Sequence, residues 1–372
     1  MTVADPAVLN GRSDSVRGGE VARHVVDVIV PAGIDDPRRP SGGNRYDRRV
    51  CDGLRGRGWQ VREHAVPGRW PQPEDDAFRA LAEVMARFRD GAVLLIDGLI
   101  ASAAPDVLLP HAIRLRPVVL VHMPAADRSA AAAEREHAVL QTAAAVITTS
   151  HWTRHDLLRR YGLGPALVHV AHPGTDQAVP ASGSVRGGRL LCVGAVIPGK
   201  GHDVLFEALA GLGPRAWTCT CVGALDIEPG FVHRLRRQLR GAGLGGRVRF
   251  TGPLGEPELS AAYADADLLV LASAAETYGM VVAEALARGL PVVATAVGGL
   301  PESLGRAKDG TVPGILVPPA DPRPLSAAID HWLGDPGLRE RLRHAAGQRR
   351  ETLAAWSDTV AKISAVLIRA GA

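Results

Sequence analysis

The sequence predicts an α/β protein with two doubly wound, Rossmann-like domains that face each other across a central cleft. Short β-branched runs alternate with helical stretches of about ten or more residues, which indicates parallel sheets. The alternation lapses once, in a segment rich in glycine, proline and serine, and then restarts. A length of 372 residues fits two such domains better than one core. Because ligands of these sheets bind outside the carboxyl ends of the strands, we expect functional residues in the loops that follow them.

The first half begins with a polar, charged leader at residues 1–23, which we expect to be mobile. The run Val25–Pro31 is short, β-branched and ended by proline, which is typical of a buried strand. A loop of glycine, proline and serine follows at Gly33–Gly43. The further predicted strands are 91–99, 117–122, 145–148 and 167–171, and the predicted helices are 44–56, 75–89, 130–141 and 153–161.

The second half begins after residues 173–189, whose composition predicts an interdomain linker. The predicted strands are 190–193, 218–222, 248–250, 268–272 and 291–295, and the predicted helices are 203–210, 231–240, 257–264, 280–288 and 325–333. The sequence therefore predicts an N-terminal domain at 24–172, a linker at 173–189, a C-terminal domain at 190–352 and a final segment at 353–372.

Composition excludes several classes of protein. Hydrophobic residues make up 46% of the chain and charged residues 22%, which excludes a disordered or fibrous protein. The apolar runs fall far short of the ~20 residues that a membrane-spanning helix needs, and the leader lacks the apolar core of a secretion signal. The four cysteines form no disulfide framework and no C-x-x-C pair, and three of them lie in strand-like runs as core residues. We therefore predict a cytoplasmic protein.

The positive charge does not indicate a nucleic-acid partner. The net charge is +4, but 40 of the 43 basic residues are arginine, as a GC-rich genome would produce. The densest basic stretch, 233–249, has no interleaved aromatic residues, so we interpret it as a solvated helix face followed by a loop. Contact with a membrane surface stays open but is disfavoured.

A glycine-bordered turn between a predicted strand and a helix carries a lysine. Its sequence, Gly194-Ala-Val-Ile-Pro-Gly-Lys200-Gly201, nearly matches the phosphate loop of P-loop NTPases. Gly201 replaces the hydroxyl residue that would hold Mg²⁺, and Pro198 removes one backbone N–H, so a P-loop kinase is disfavoured. An ammonium group before a helix still suits a diphosphate. The alternative is an ordinary exposed lysine.

Two glutamates lie eight residues apart after the predicted strand 268–272. Glu276 comes just before a helix whose free N–H groups favour anions, and Gly279 permits a close approach of the backbone. Glu284 lies about two turns into that helix. Either glutamate alone could be an ordinary acidic residue, at a helix start or on the surface. Together, with the free backbone amides between them, the two carboxylates match a ligand made of a sugar, a diphosphate and a ribose in that order.

These residues resemble a known family. Glu276 and Glu284 form the E-x₇-E signature of retaining GT-B glycosyltransferases, and the chain is similar to family GT4 over roughly residues 24–365. Further matching stretches are 193–194 with 200–203, Phe250-Thr251-Gly252, 264–267, Val297-Gly-Gly-Leu-Pro-Glu302, 314–319 and His172-Pro-Gly-Thr-Asp176. The resemblance implies a GT-B fold whose segment 353–372, from Trp356 on, crosses back to the N-terminal domain as a helix.

The resemblance also implies a role for each site residue. Glu276 contacts hydroxyls of the donor sugar, Glu284 contacts the ribose, and Lys200 holds the diphosphate. We expect Glu276 and Lys200 to be catalytic residues together with His122. From its position alone His122 is a strand-end histidine, but the family places a catalytic histidine there, beside the donor sugar. The other implied donor-binding residues are Gly42, Gly43, Gly194, Thr251, Gly252, Thr277, Tyr278, Gly279, Met280 and Val281.

The function implied is transfer of a hexose-type sugar from a nucleotide diphosphate sugar, the co-substrate, to an acceptor hydroxyl that the sequence does not identify. The family mechanism is a front-face displacement with retention, in which the leaving phosphate takes the acceptor proton; no other cofactor and no metal is expected. The sequence departs from the family at Ala195, where an arginine is usual. That departure leaves open a non-catalytic homologue that binds sugar nucleotides, beside a GT-B phosphorylase or an epimerase.

Two motifs mimic metal sites. Asp265-Ala-Asp267 resembles the D-x-D of another glycosyltransferase fold, but it falls where a helix ends and a strand begins. His151 and His155 have the spacing of two helical metal ligands, but neither a third ligand nor the acid of H-E-x-x-H lies nearby in the sequence. We interpret the pair as a helix surface and predict no metal site.

Overall fold

A computed structural model describes residues 24–371, which form two six-stranded sheets with all strand pairs parallel. The predicted leader, residues 1–23, lies outside the described residues. Each sheet is covered by helices on both faces, as parallel sheets require because both faces are apolar. The predicted domain boundaries stay a prediction.

The N-terminal sheet has the strand order β2-β1-β3-β4-β5-β6. Its strands are β1 Val25–Pro31, β2 Gln60–Val66, β3 Val93–Asp97, β4 Arg116–Val121, β5 Ala145–Thr148 and β6 Val168–Val170. Its helices are α1 Gly42–Gly56, α2 Asp75–Ala86, α3 Gly98–Ala103, α4 Pro105–Leu108, α5 Ala130–Thr142 and α6 His151–Tyr161.

The C-terminal sheet has the strand order β12-β11-β10-β7-β8-β9. Its strands are β7 Arg189–Val193, β8 Thr218–Val222, β9 Val248–Gly252, β10 Leu268–Leu271, β11 Val292–Thr295 and β12 Gly314–Val317. Its helices are α7 His202–Ala210, α8 Pro229–Gly241, α9 Glu256–Asp265, α10 Met280–Leu286, α11 Leu300–Leu304, α12 Pro322–Gly334 and α13 Pro336–Arg350.

The strand orders place the predicted site loops side by side. In the C-terminal sheet the chain runs outward from β7 through β8 to β9 and then returns to β10 on the other side of β7. The loop after β7 carries Lys200 and the loop after β10 carries Glu276, so both lie at the point where the winding direction reverses. Ligands of doubly wound sheets bind at such a point.

The last helix, α14 Trp356–Gly371, belongs to the core of the N-terminal domain. Its buried Val360 and Ile363 pack in the same cluster as the residues of β1 and α1. Gly53 permits this close crossing of α1, because a Cβ atom there would lie 2.4 Å from a Val360 methyl group. The predicted crossing helix is therefore confirmed.

Two chain segments connect the domains and touch each other. The Thr175 amide donates to the Ala354 carbonyl at 2.8 Å, and a Cβ atom at Gly174 would lie 2.3 Å from the Trp356 backbone. The Thr359 hydroxyl also donates to the His172 carbonyl at 2.7 Å. The segment after β6 and the segment before α14 thus run together.

Several elements differ from the sequence prediction. The edge strand β2 was not predicted, because Gln60–Val66 alternates charged residues with a few apolar ones and carries no buried run. Helix α13 was not predicted either, since it is rich in arginine and contains Gly337 and Gly347. The predicted strand 91–99 is shorter, because Asp97 caps helix α3 by accepting the Leu99 amide at 2.6 Å. Helix α1 begins at Gly42, not near Asn44, because the Ser41 hydroxyl accepts the Asn44 amide at 3.0 Å.

Other predictions agree with the structure. Cys192, Cys219 and Cys221 are buried in strands β7 and β8. The arginines of α8 lie on its exposed side, as expected for a solvated helix face. Across residues 24–371, the structure contains no helix with the length and apolar character needed to cross a bilayer.

Candidate active site

The first part of the site is the start of α1, which reaches across the cleft. A Cβ atom at Gly43 would lie 3.2 Å from the His122 ring, and one at Gly42 would lie 3.5 Å from Met280 Sδ. His122 follows β4 in the N-terminal domain, whereas Met280 begins α10 in the C-terminal domain. The glycine pair therefore lies between the predicted catalytic histidine and the predicted donor residue Met280.

A buried acidic pair holds His122. Its Nε2 donates to Asp47 Oδ1 at 2.7 Å and lies 3.9 Å from Asp97 Oδ2, and both carboxyl groups are buried. Burial and the neighbouring Asp47 raise the pKa of Asp97 to about 7. Burial lowers the pKa of His122, but the two aspartates outweigh it and the net pKa is raised. The cluster therefore favours a protonated, firmly oriented imidazole.

The Lys200 turn has a geometry that only glycine permits at its end. Pro198–Lys200 forms one 3₁₀ turn, and Gly201 follows in the left-handed region with φ 65°. A Cβ atom at Gly201 would lie 2.0 Å from the Ala272 carbonyl oxygen, so serine or threonine cannot occupy this position without moving the backbone just after β10. The structure thus explains why the Mg²⁺-binding hydroxyl of a P-loop is missing from this turn.

Lys200 and Glu276 form an ion pair. The Lys200 Nζ donates to Glu276 Oε1 at 2.5 Å, and the Ser273 hydroxyl donates to the same oxygen at 3.0 Å. The side chains are 28% and 10% exposed, so the pair is partly shielded from water. The sequence placed these residues on different parts of the donor, but the structure places them in direct contact, and their effects must be coupled.

A second glycine pair supports the donor loop from behind. The Gly299 amide donates to the Glu276 carbonyl at 2.9 Å, and a Cβ atom at Gly298 would lie 1.7 Å from that carbonyl oxygen. The loop then turns at Gly279, whose φ is 84°. Gly298 and Gly299 belong to the family-like motif that ends in Glu302, so this motif supports the backbone of the donor loop.

Glu284 joins the two domains. Its Oε1 accepts from Arg45 Nη1 at 2.8 Å, and its Oε2 accepts from the Tyr263 hydroxyl at 2.8 Å. Burial raises the pKa of Glu284, against the opposing effects of Arg45 and Tyr263. Arg45 lies in α1 and also pairs with Asp176 at 3.2 Å. A ribose hydroxyl that binds Glu284 must therefore share or displace these two donors.

The remaining predicted residues are less closely placed. Lys200 packs along Gly194, since a Cβ atom there would lie 3.6 Å from Lys200 Cδ. Thr251 and Gly252 end β9, two strands away from the Lys200 turn, and the Thr251 hydroxyl donates to the Gly252 carbonyl at 2.7 Å. Thr277, Tyr278 and Val281 lie in or next to the loop between Glu276 and α10, with Tyr278 buried.

Sequence reasoning missed the partners of the predicted residues. Asp97 could have been found, because it is a charged residue at the carboxyl end of a predicted strand. Asp47, Arg45 and Tyr263 had no local signal: they lie inside helices, and only the packing of distant elements brings them to His122 and Glu284.

One of the two metal-like motifs needs a correction. Asp265 ends α9 and Asp267 precedes β10, where its buried carboxylate accepts the Arg189 amide at 2.9 Å, as expected for a structural acid. His151, however, does have further metal-ligand side chains nearby. Donor atoms of His151, His172 and Glu302 lie within 4.8 Å of one another, and those of Asp47, Asp97 and His122 form a second such group.

Comparison with known sequences finds a family match in the C-terminal half of the chain. Residues 185–349 match the family described as glycosyl transferases group 1. The D-inositol 3-phosphate glycosyltransferase of Jonesia denitrificans is 31% identical over 63% of this chain and 59% of its own length. D-inositol 3-phosphate glycosyltransferase 1 of Catenulispora acidiphila is 33% identical over 66% of this chain and 62% of its own length. The chain thus spans about three fifths of the length of these curated relatives.

Comparison with solved structures bears on the fold. Sucrose-phosphate synthase from Thermosynechococcus elongatus has a TM-score of 0.75 and 23% identity, over 93% of this chain and 99% of that one. Anabaena HepE in complex with UDP and glucose has a TM-score of 0.74 and 18% identity, over 93% of this chain and 100% of that one. The predicted GT-B fold is confirmed, and so is the resemblance to the glycosyltransferases.

Proposed function

We propose that the chain transfers a sugar from a nucleotide diphosphate sugar to an acceptor hydroxyl, on the premise that residues 185–349 match the family of glycosyl transferases group 1. The observation that carries the proposal is the convergence of Lys200, Glu276 and Glu284 at one sheet edge, opposite His122 and the start of α1. Relatives named as glycosyltransferases and a neighbour solved with UDP and glucose support the same ligand class.

In this proposal each group acts where charge or a hydroxyl is present. Lys200 and the backbone amides of 278–281 stabilise the charge that grows on the leaving diphosphate. Glu284 binds the ribose and Glu276 orients the hydroxyls of a hexose-type sugar. His122, oriented by Asp47, lies against the Gly43 backbone on the opposite side of the cleft, where the sugar is expected.

We further propose that the reaction retains the anomeric configuration and needs no metal, and that the leaving phosphate takes the proton of the acceptor. These features come from the family resemblance, and so do the roles of the remaining donor-binding residues. The base, the sugar and the acceptor stay open, and the cytoplasmic location stays a prediction from the sequence.

The first experiment is a thermal-shift panel of UDP, GDP, ADP, CDP and TDP. A nucleotide that binds the folded protein raises its melting temperature by linkage, so a rise for one base identifies the donor class. Glu284→Ala should abolish most of this shift. Glu340→Ala, which removes an exposed glutamate of α13, is the matched control and should preserve the shift.

The second experiment tests transfer with the corresponding sugar nucleotides and a panel of acceptors. Because the curated relatives act on D-inositol 3-phosphate by name, that compound belongs in the panel. NMR of the anomeric proton in the product reports retention or inversion. Ala195 favours one rival, a homologue that binds without turnover; nucleotide binding without transfer or hydrolysis across the panel would favour that rival.

A further inference from the structure

Three potential metal ligands converge where the two domains meet, and none of them is a residue assigned to the donor. His151 is the first residue of α6, His172 follows β6 by two residues, and Glu302 lies in α11 of the other domain. One donor atom of each lies within 4.8 Å of the other two. These residues are 21 to 151 positions apart in the sequence, so only the packing of the two domains creates the group.

Two of the three ligands are already held in position. The Glu302 carboxylate accepts the backbone amides of His151 and Trp152 at 2.9 and 3.2 Å, and it accepts His172 Nε2 at 2.5 Å. One face of the His172 ring stacks on Tyr278, with the ring centroids 5.7 Å apart. Preorganised ligands lower the cost of forming a metal site, because little ordering is needed when the ion arrives.

The position of the His151 side chain is not explained by these hydrogen bonds. Glu302 of the other domain accepts a hydrogen bond from the His151 backbone amide, and any residue except proline at position 151 could donate that bond. Nevertheless the His151 ring lies edge-on to the His172 ring, with 5.1 Å between the centroids, and it is exposed to solvent. The third donor therefore lies at the solvent side of the group, where an ion would enter.

We propose that His151, His172 and Glu302 bind a divalent transition-metal ion of the zinc type. Two imidazoles and one carboxylate form a donor set that zinc prefers, with water as a fourth ligand. Ligands of tetrahedral zinc lie about 3.3 Å from one another, so His172 Nε2 and Glu302 Oε1, now 2.5 Å apart, must separate slightly. The donor atoms all lie within 4.8 Å of one another, so rotation of the exposed His151 side chain has to close a gap of no more than about 1.5 Å. The ion replaces the proton that His172 shares with Glu302, and that proton is released to water.

Such an ion has a structural consequence. It links α6 of the N-terminal domain to α11 of the C-terminal domain through side-chain bonds. It therefore holds the two domains together at this point, independently of the sugar-transfer reaction, which we propose to be metal-free. This site does not depend on the proposed function, since its ligands include none of the residues assigned to the donor.

The experiment is calorimetric titration of ZnCl₂ into the full chain after removal of metal by chelation and dialysis. We expect one zinc ion per chain and a melting temperature that rises with zinc concentration. His151→Ala should weaken binding at least tenfold and remove the thermal shift, because it deletes a ligand. His155→Ala, an exposed histidine one turn further along α6, is the matched control and should bind as the unaltered chain does.

A second variant distinguishes binding of zinc by the side chain at position 151 from a purely structural role of that side chain. His151→Cys restores a zinc ligand of different geometry, so it should bind more tightly than His151→Ala. Because His151 is exposed, these variants should fold, and circular dichroism checks this. If the unaltered chain binds no zinc, or binds it as tightly after His151→Ala as before, the group is only a hydrogen-bonded domain contact and the proposal is wrong.

Discussion

The ion pair between Lys200 and Glu276 makes a prediction whose sign the sequence alone does not give. In the structure Lys200 is bonded to Glu276, so a diphosphate must draw the ammonium group away from the carboxylate or share it. Glu276→Gln removes the competing charge while it keeps a side chain of the same shape and an oxygen for the Ser273 hydroxyl. The variant should therefore bind a bare nucleoside diphosphate more tightly and turn over the sugar nucleotide more slowly.

The structure sets the size of this effect. Exposed ion pairs contribute ~0.2–1 kcal/mol, and hydrogen bonds to charged groups contribute ~1.5–3 kcal/mol. With 28% of Lys200 and 10% of Glu276 exposed, the pair lies between these cases. Taking about 1 kcal/mol for the competition, the dissociation constant should fall about fivefold.

The assay is calorimetric titration, with the nucleotide that gives the largest thermal shift, of four proteins: the unaltered chain, Glu276→Gln, Lys200→Ala and the double variant. In the Lys200→Ala background the gain from Glu276→Gln should disappear, because no ammonium group is left to release. Glu340→Gln controls for the loss of one negative charge from the same domain. An unchanged dissociation constant for Glu276→Gln, or the same gain without Lys200, would refute the competition between carboxylate and diphosphate.

Three further predictions concern the other parts of the site. Glu284→Ala should weaken nucleoside diphosphate binding by ~1–3 kcal/mol in calorimetry, and equal affinity would show that Glu284 is not the ribose ligand. Turnover should persist in excess EDTA after dialysis, whereas a loss that Mg²⁺ or Mn²⁺ restores would overturn the metal-free mechanism. Since the pKa of Asp97 is raised from 3.8 to about 7, the folded chain keeps a proton that the unfolded chain loses, and stability should fall as pH rises from about 4 to 7. The raised pKa of His122 acts in the same direction. Asp97→Asn should flatten this dependence of the melting temperature on pH, and parallel curves for the two proteins would contradict the assignment.

The sequence predicted the longer elements that carry regular apolar patterns and missed elements that are charged, rich in glycine or very short, among them the four-residue edge strand β12. The buried strands of both sheets were predicted because their apolar runs report burial directly. The edge strand β2 and helix α13 were not, since charged side chains and glycines hide their periodicity. The direction of each strand could be inferred, but the order in which the strands lie side by side could not.

The site shows the same division. Lys200 and Glu276 lie beside glycine turns at strand ends, and Glu284 follows Glu276 by eight residues in the chain. This combination, rather than any one of the three residues, carried the signal. Arg45 and Tyr263 carry none, and their contacts with Glu284 depend on where α1 and α9 pack. The His151 group shows the opposite error: the sequence paired His151 with His155, whereas the neighbouring side chains come from the segment after β6 and from the other domain.

The return of α14 to the N-terminal domain constrains how the cleft can open. The C-terminal sheet is attached by two tethers rather than one, and Thr175 and Ala354 bond them to each other at 2.8 Å. Two connected segments resist twisting and sliding of one domain against the other. They permit a hinge rotation of the domains about the line that passes through both segments. We therefore expect the two sheet edges to separate by rotation about this hinge axis, so that donor and acceptor enter the cleft from the side opposite the two connecting segments.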